Sequence, residues 1–538
     1  MGGLPAGEPA TEQRLAPNEI AMLDAFTGLQ WSWVSAGALL LLSAVIFYLR
    51  GNVKLSIALL ALGACVLRLL MINTDPFLYD WDEQYHALVA QHLAVHPGTP
   101  TLYDDPQLPV DIKEWAHNHI WLHKPPLFLW LIALSVKIFG ATPFAVKLPS
   151  VILSSLMIPS LFSIVRRVST ERAGFIAALL LAAHSYSIQL ISGFRNTDHN
   201  DIIFAAFVLF SFQAWMKYTE TNRQCDAIAT GLLVGCAVLV KWLPGILVFL
   251  PWGLWILRKQ YRKDKVKWIH LSLAVLSAMI LVLPWYVHIY SSFPAEAEFE
   301  MHYNMLHFTV AMEGHEGPWY YHFDQIRELM GWTMAILAVP GILLFALHDT
   351  RYMRTLYTVI AVLFFFIFYA VAKTKMPLFM LPVIPLLLAG IAVLIDKGLD
   401  VISRNKAVVA ASLTLIFLFV MDVRGIVTNH SSLSELAWYR DEMWGVRNKA
   451  DFYLKQKANG PDAGRRVVMF NFPENERAAF MFYTGDIVYN QAPPLETLRA
   501  IQAKGFVIGA YENQMMPEEY RSDSTIRLYF GHLAQPAQ

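Results

Sequence analysis

Charge is scarce in this chain. Only 16% of its 538 residues are Asp, Glu, Lys or Arg, whereas 56% are hydrophobic and the mean hydropathy is +0.41. Soluble domains carry about a quarter charged residues, so a soluble fold of this composition would be left with apolar surface it could not hide. Neither sign is in excess: 42 basic residues balance 42 acidic ones, which removes the bulk basic field of a nucleic-acid binder. Cysteine is nearly absent. Cys65, Cys225 and Cys236 lie in or beside apolar runs without metal-ligand spacing, which excludes a disulfide framework. The first thirty residues set Glu8, Glu12, Glu19 and Asp24 against Arg14, unlike the basic start of a secretory signal. Internal repeats are missing as well, which weighs against a transporter built from them.

Long apolar runs are abundant. They fall at 31–49, 54–72, 144–165, 173–191, 201–217, 227–240, 243–257, 268–290, 331–347, 355–372, 376–395 and 406–423, most of them near the length that crosses about 30 Å of hydrocarbon. The run 126–139 is short and suits a span, a re-entrant helix or an interfacial helix. The chain is therefore expected to be mainly α: a polytopic membrane helix bundle with outer juxtamembrane helices, about twelve spans (up to fourteen) over 31–423, and an outer segment at 1–30. Basic residues set the orientation. Arg258, Lys259, Arg262, Lys263, Lys265 and Lys267 crowd one loop, and Arg50, Lys54, Arg166, Arg167, Arg354 and Lys397 join them on the inner side if 126–139 does not cross. The loops 73–143, 192–200 and 291–330 then share the outer side with the tail. That tail, 424–538, has short turn-bounded apolar runs at Val467–Phe472, Ile487–Tyr489 and Phe506–Ile508 with the helical stretch Glu435–Lys457 before them, and reads as a small soluble α/β domain.

Polar motifs gather in the outer loops. Asp82, Glu83 and Tyr85 open a stretch whose apolar residues (Trp81, Tyr85, Leu88, Val89) recur at helical spacing, predicting a short amphipathic helix along the interface; an acidic pair there also serves simply as a helix cap. Lys124 stands before Pro125 and Pro126, where the backbone is stiff, and a cation at head-group depth suits a lipid phosphate, although lysines also snorkel without further role. Arg195, Asp198 and Asp201 crowd a short connection between two spans, where polar groups are costly. His302 and His315 lie in the third loop beside Trp319, Tyr320 and Tyr321, and His123 adjoins Lys124. Imidazoles and carboxylates in these loops are candidate zinc or magnesium ligands, but no spacing matches a metal motif, and no cofactor is otherwise indicated.

At these residues the chain resembles the GT-C glycosyltransferases that include lipid A aminoarabinose transferases and protein O-mannosyltransferases. The resemblance rests on Asp82-Glu83-Gln84-Tyr85, on Lys124-Pro125-Pro126-Leu127, on His315 to Tyr321, and on Lys373-Thr374-Lys375 with its following proline-spaced span; it covers roughly residues 75–395. Val240 to Gly245 is similar to a recurrent Thr-Lys-Gly turn. Two features depart from the family: His123 stands where the aminoarabinose transferases have a glutamate implicated in metal binding, and the span 31–49 is additional.

The resemblance implies an inverting single displacement from a sugar on a polyprenyl (undecaprenyl) phosphate to a lipid, glycan or protein acceptor. It places the reaction on the periplasmic face of a bacterial inner membrane. Asp82 would activate the acceptor, with Glu83 and either Asp198 or Asp201 assisting. Lys124 and Arg195 would hold the departing phosphate. Tyr85, His315, Trp319, Tyr320, Tyr321, Lys373 and Lys375 would line the donor site, and His123, His302 and His315 would be the metal candidates. A secondary transporter, or a non-catalytic lipid-binding relative of the same fold, are the alternatives.

Overall fold

A computed structural model of the protein describes residues 26–109, 112, 114–194, 198–349, 353–402, 409, 411–416 and 437–530. The first membrane helices are set by local capping. Thr27 and Gln30 form a reciprocal capping box at α1 (Gly28–Leu49), and the Asn52 side chain caps α2 (Val53–Thr74). A short helix α3 (Asp82–Leu93) and the apolar α4 (Pro126–Phe139) follow. Fourteen residues at about 1.5 Å each reach about 21 Å, so α4 is too short for a perpendicular crossing of about 30 Å. Thr142 and Pro143 start α5 (Pro143–Val168), and Thr170 caps α6 (Glu171–Ala182).

The predicted run 173–191 is broken: α6 ends at Ala182 and α7 (Ser185–Leu190) continues after His184. Next come α8 (Asn200–Thr221) and α9 (Gln224–Lys241), then a 3-10 turn at Leu243–Val248 that passes into α10 (Phe249–Ile256) where a single span was expected. The long α11 (Lys265–Ser292) is followed by α12 (Pro294–Thr309). α13 (Tyr321–Met330) and α14 (Trp332–Ala346) meet at 116°, the turn being made at Gly331 with φ 77°. α15 (Arg354–Val371) and, after the 3-10 segment Pro377–Val383, α16 (Ile384–Ile402) complete the described bundle. Among the described residues, eight helices are long and apolar enough to span, and the bent pair makes a ninth. The remaining expected runs are broken or short, and 406–423 lies largely outside the described residues.

The two ends of the bundle differ in chemistry. At one end Arg354 bridges Glu220 (2.8 Å) and Asp349 (2.7 Å), Arg167 also pairs with Glu220, and Arg172 joins Asp396 to Asp400. Arg167 and Arg354 are among the residues that charge asymmetry assigned to one side. Between the ends, α14 and α16 cross with backbones in contact. A Cβ on Gly341 would lie 2.8 Å from the Gly390 carbonyl carbon, so only glycine fits.

The tail is an α/β unit. Its sheet is wholly parallel, ordered β2-β1-β3-β4, from β1 (Val467–Phe470), β2 (Ile487–Val488), β3 (Val507–Tyr511) and β4 (Arg527–Tyr529). β1 and β3 are buried along their whole length, as helix-covered parallel strands are. The helices are α17 (Ala437–Asn459), α18 (Glu474–Thr484), α19 (Leu495–Ala503) and the single turn α20 (Glu518–Ser522). Three of the strands coincide with the apolar runs of the sequence; β4 reads Arg-Leu-Tyr and gave no such signal.

The tail corrects one expectation: α3 has no polar face left to solvent, nine of its residues, Glu83, Gln84, His86 and Val89 among them, being buried, with α18 packed over it. Ala479 N–H donates to Gln84 Oε1 (3.2 Å), and Leu78 N–H donates to the Tyr483 hydroxyl (2.7 Å).

Candidate active site

At the opposite end of the bundle, four segments converge. The first turn of α3 presents Asp82, the stiff segment before α4 presents Lys124, the connection before α8 presents Asp198, and the last turn of α9 presents Lys241. Lys124 Nζ lies 3.0 Å from Asp198 Oδ2, to which it donates a hydrogen bond, and 3.4 Å from Asp82 Oδ1. Lys241 pairs with Asp201 and lies over the Phe379 ring at 5.2 Å. The two aspartates differ in their partners: Asp198 shares Lys124 with Asp82, whereas Asp201 pairs with Lys241.

Burial differentiates the carboxylates. The Asp198 side chain is 3% exposed and that of Asp82 is 23% exposed, so Asp82 is the one an incoming group can reach. Burial also pushes the Asp82 carboxyl above the usual aspartate range; Lys124 opposes this and Asp198 adds to it. Burial acts on Asp198 in the same sense, but Lys124 and Lys241 outweigh it and hold Asp198 ionised well below that range. Lys124 loses basicity to burial and regains more from Asp198 and Asp82, so it stays charged.

One group of three metal-capable side chains occurs among the described residues: Asp82, His86 and Asp198, with ligand atoms within 4.8 Å of one another. Burial holds His86 neutral, at about 3, and neither ring nitrogen has a hydrogen-bond partner. The group fits a divalent ion poorly, because the Lys124 ammonium already lies against both carboxylates and would repel a second cation. His123, His302 and His315 form no such group among the described residues. His123 instead meets the buried Glu300 (3.4 Å) and is stacked under Trp115 at 4.6 Å.

Other expected residues are placed elsewhere. Glu83 adjoins Asp82 in sequence, but a residue step of about 100° on a helix turns it away from the cluster. It is fully buried, 3.3 Å from the equally buried Lys147, and accepts the Tyr79 N–H. Lys147 in turn donates to the Phe77 carbonyl at 3.0 Å, so the pair holds the loop that enters α3. Tyr85, expected at the donor, is buried, and its hydroxyl meets Glu474 and Arg477 of the tail at 3.3 Å each. Lys375 caps the end of α15 by donating to the carbonyls of Tyr369, Ala370 and Ala372 (2.7, 2.7 and 2.5 Å). Its own N–H donates to the His315 carbonyl (2.9 Å), and Lys373 N–H donates to that of His307 (3.1 Å), so the Lys-Thr-Lys segment stitches the third loop in place. Trp319 and Tyr320 are exposed beside the half-exposed Phe323, in the manner of interfacial aromatics; Tyr321 opens α13. Arg195 lies outside the described residues. The motifs gave Lys147, Lys241 and Arg477 no role, although Lys241 stands in the Val240–Gly245 turn that the sequence singled out.

Burial raises Glu83 to about 7, with Lys147 opposing. Its folded pKa thus exceeds its ordinary 4.5, and the fold favours the protonated form. That contribution to stability is complete below about pH 4.5 and is lost as pH rises through about 7. Glu83→Gln, neutral at every pH, is expected to gain melting temperature relative to the wild type as pH goes from 5 to 8. Melting curves of both proteins in one detergent check this, and a pH-independent difference would refute it.

The comparisons with known proteins bear on the fold that gathers these carboxylates and lysines at one end of the bundle. Residues 123–288 match the family model described as dolichyl-phosphate-mannose-protein mannosyltransferase. The chain is 26% identical over 330 residues to the undecaprenyl phosphate-alpha-4-amino-4-deoxy-L-arabinose arabinosyl transferase of Pseudomonas aeruginosa, covering 57% of each chain. It is 25% identical over 296 residues to a Pseudomonas fluorescens protein of the same description, covering 53% of this chain and 52% of the other. The chain thus spans about half the length of the curated relatives it matches. Among solved structures, ArnT from Cupriavidus metallidurans bound to undecaprenyl phosphate superimposes with a TM-score of 0.55 at 18% identity, covering 84% of this chain and 89% of that one. The Archaeoglobus fulgidus oligosaccharyltransferase, in complex with zinc and sulfate, gives 0.51 at 14% identity, covering 81% and 62%. The fold is that of the GT-C glycosyltransferases.

Proposed function

We propose that this protein transfers a sugar from an undecaprenyl-phosphate carrier to a lipid, glycan or protein acceptor on the periplasmic face of a bacterial inner membrane, by one inverting displacement. The observation that carries the reading is the sharing of one ammonium, that of Lys124, between an accessible carboxylate and a buried one. The acceptor oxygen bonds to the anomeric carbon as the bond from that carbon to the phosphate oxygen breaks. The bonding pair leaves with undecaprenyl phosphate, and the acceptor proton passes to Asp82. Lys124 neutralises the charge growing on the departing phosphate, and Asp198 fixes Lys124 in place. A metal is given no step. The carrier is inferred from the relatives, which are described as undecaprenyl-phosphate transferases and include one structure bound to undecaprenyl phosphate.

The test uses the full chain in lipid nanodiscs with two donors: undecaprenyl phosphate carrying 4-amino-4-deoxy-L-arabinose, and the same lipid carrying mannose. A crude periplasmic and envelope extract supplies acceptors. Release of undecaprenyl phosphate from either donor, dependent on the extract, is expected. Neither donor being consumed by a monodisperse protein, with a solute accumulated in proteoliposomes instead, would replace the reading with a transporter.

A further inference from the structure

The tail reaches under the candidate catalytic centre through one side chain. Arg477, on α18, is fully buried, and each of its three side-chain nitrogens donates a hydrogen bond. Nη2 donates to the Ala116 carbonyl (2.8 Å), to Glu474 Oε1 (2.7 Å) and to the Tyr85 hydroxyl (3.3 Å); Nε donates to Glu474, and Nη1 to the Tyr103 hydroxyl. Glu474 also meets His117 Nε2 at 3.3 Å. Each partner outside the tail belongs to the first outer loop, and two of them lead to the reacting residues. Tyr85 lies one helical turn after Asp82 on α3. Ala116 follows Trp115, which packs edge-on against Tyr85 (5.0 Å) and stacks on His123, the neighbour of Lys124.

A second set of tail contacts holds the entrance to α3. Arg440 donates to Asp75 Oδ1 (2.6 Å), and the Tyr439 hydroxyl bonds to Asp80. Directly after the second of these anchors Trp81 adopts φ 52°, a conformation that costs energy for a bulky residue and persists only when its surroundings impose it. α3 is therefore fixed at its start by α17 and one turn later by α18.

We infer that Arg477 is a positioning residue for the transfer reaction: from the tail it sets the placement of Asp82 against Lys124 by holding Tyr85, Tyr103 and the Ala116 carbonyl in one guanidinium fork. The inference rests on the proposed role of Asp82. It makes the tail part of the active site, beyond any acceptor that the tail binds. A planar guanidinium supplies five donors in a fixed fork and an ammonium only three, so lysine cannot restore all the contacts.

The experiment compares wild type, Arg477→Lys, Arg477→Met, Glu474→Gln and Asp82→Asn as full chains in nanodiscs. Hydrogen exchange is measured over residues 78–93, and kcat and KM are measured with the donor that wild type consumes. Arg477→Met is expected to lose protection over 78–93 while α5, α8 and α9 keep theirs. Its kcat should fall at least about 100-fold with KM for the donor changed less than about threefold, the size of effect that misplacement by about 1 Å produces. Arg477→Lys should recover part of both losses. Glu474→Gln, which leaves no void, should show the same changes in smaller measure. Unchanged protection over 78–93 in Arg477→Met, or lost protection with wild-type kcat, would overturn the inference. Wild-type turnover in Asp82→Asn would instead overturn the reading of Asp82, and the exchange result would still decide whether Arg477 places the helix.

Discussion

Replacing Asp82 by asparagine is expected to reduce transfer by about 10²–10⁴-fold, the range a positioned general base contributes, while leaving carrier binding intact. Asparagine preserves the size of the side chain and its place at the start of α3. It removes the ability to take a proton from the acceptor, and it removes one of the two charges that flank Lys124. Asp82 is the accessible member of the pair, so no other carboxylate of the cluster can stand in: Asp198 is buried against Lys124 and Asp201 is engaged by Lys241. Asp82→Glu retains the function but lengthens the arm, and should fall between. Turnover and carrier binding measured on the same samples decide the matter. Loss of both together would point to misfolding, and loss of neither would remove Asp82 from the mechanism.

Lys124→Met carries the second large effect, with a signature in pH. Activity requires ionised Asp82, so it rises as pH rises through the Asp82 pKa, and burial places that acid limb above the ordinary aspartate range. Lys124 is the group that pulls Asp82 downward. Its removal leaves burial and the Asp198 charge opposed only by the smaller effect of His123. Residual turnover of Lys124→Met should be at least about 100-fold lower, as when a charge-stabilising donor is lost, and its acid limb should move to higher pH. Asp198→Asn removes a group that raises Asp82 and should move the limb the other way. Profiles of kcat/KM against pH for the three proteins test both signs. A limb that stays fixed in all of them would mean that Asp82 does not limit the rate.

The sequence resolves these residues unevenly, for physical reasons. Asp82 and Lys124 are legible because each sits in a local pattern, an acidic pair opening a helix and a lysine before two prolines. Asp198 and Asp201 lie within one helical turn of each other, and only the positions of Lys124 and Lys241 in three dimensions separate them. Glu83 is indistinguishable from Asp82 as a residue type; its inward direction follows from its pairing with Lys147 on another helix. Tyr85 matches the family motif, yet its hydroxyl is claimed by Arg477, nearly four hundred positions along the chain, which no periodicity could indicate. The spans show the same limit. Most of the apolar runs form uninterrupted helices, but the run 173–191 hides a break at His184 and the run 243–257 begins as a 3-10 turn.

The most direct test of the central claim is native mass spectrometry of the purified protein with its co-extracted lipids, wild type against Lys124→Met. Undecaprenyl phosphate or its glycosylated form bound to wild type, and depleted in the variant, is the predicted result; the glycosylated form would also give the mass of the sugar. Bulk phospholipid alone, equal in both proteins while both remain folded, would contradict a carrier-phosphate site at Lys124 and the transfer chemistry built upon it.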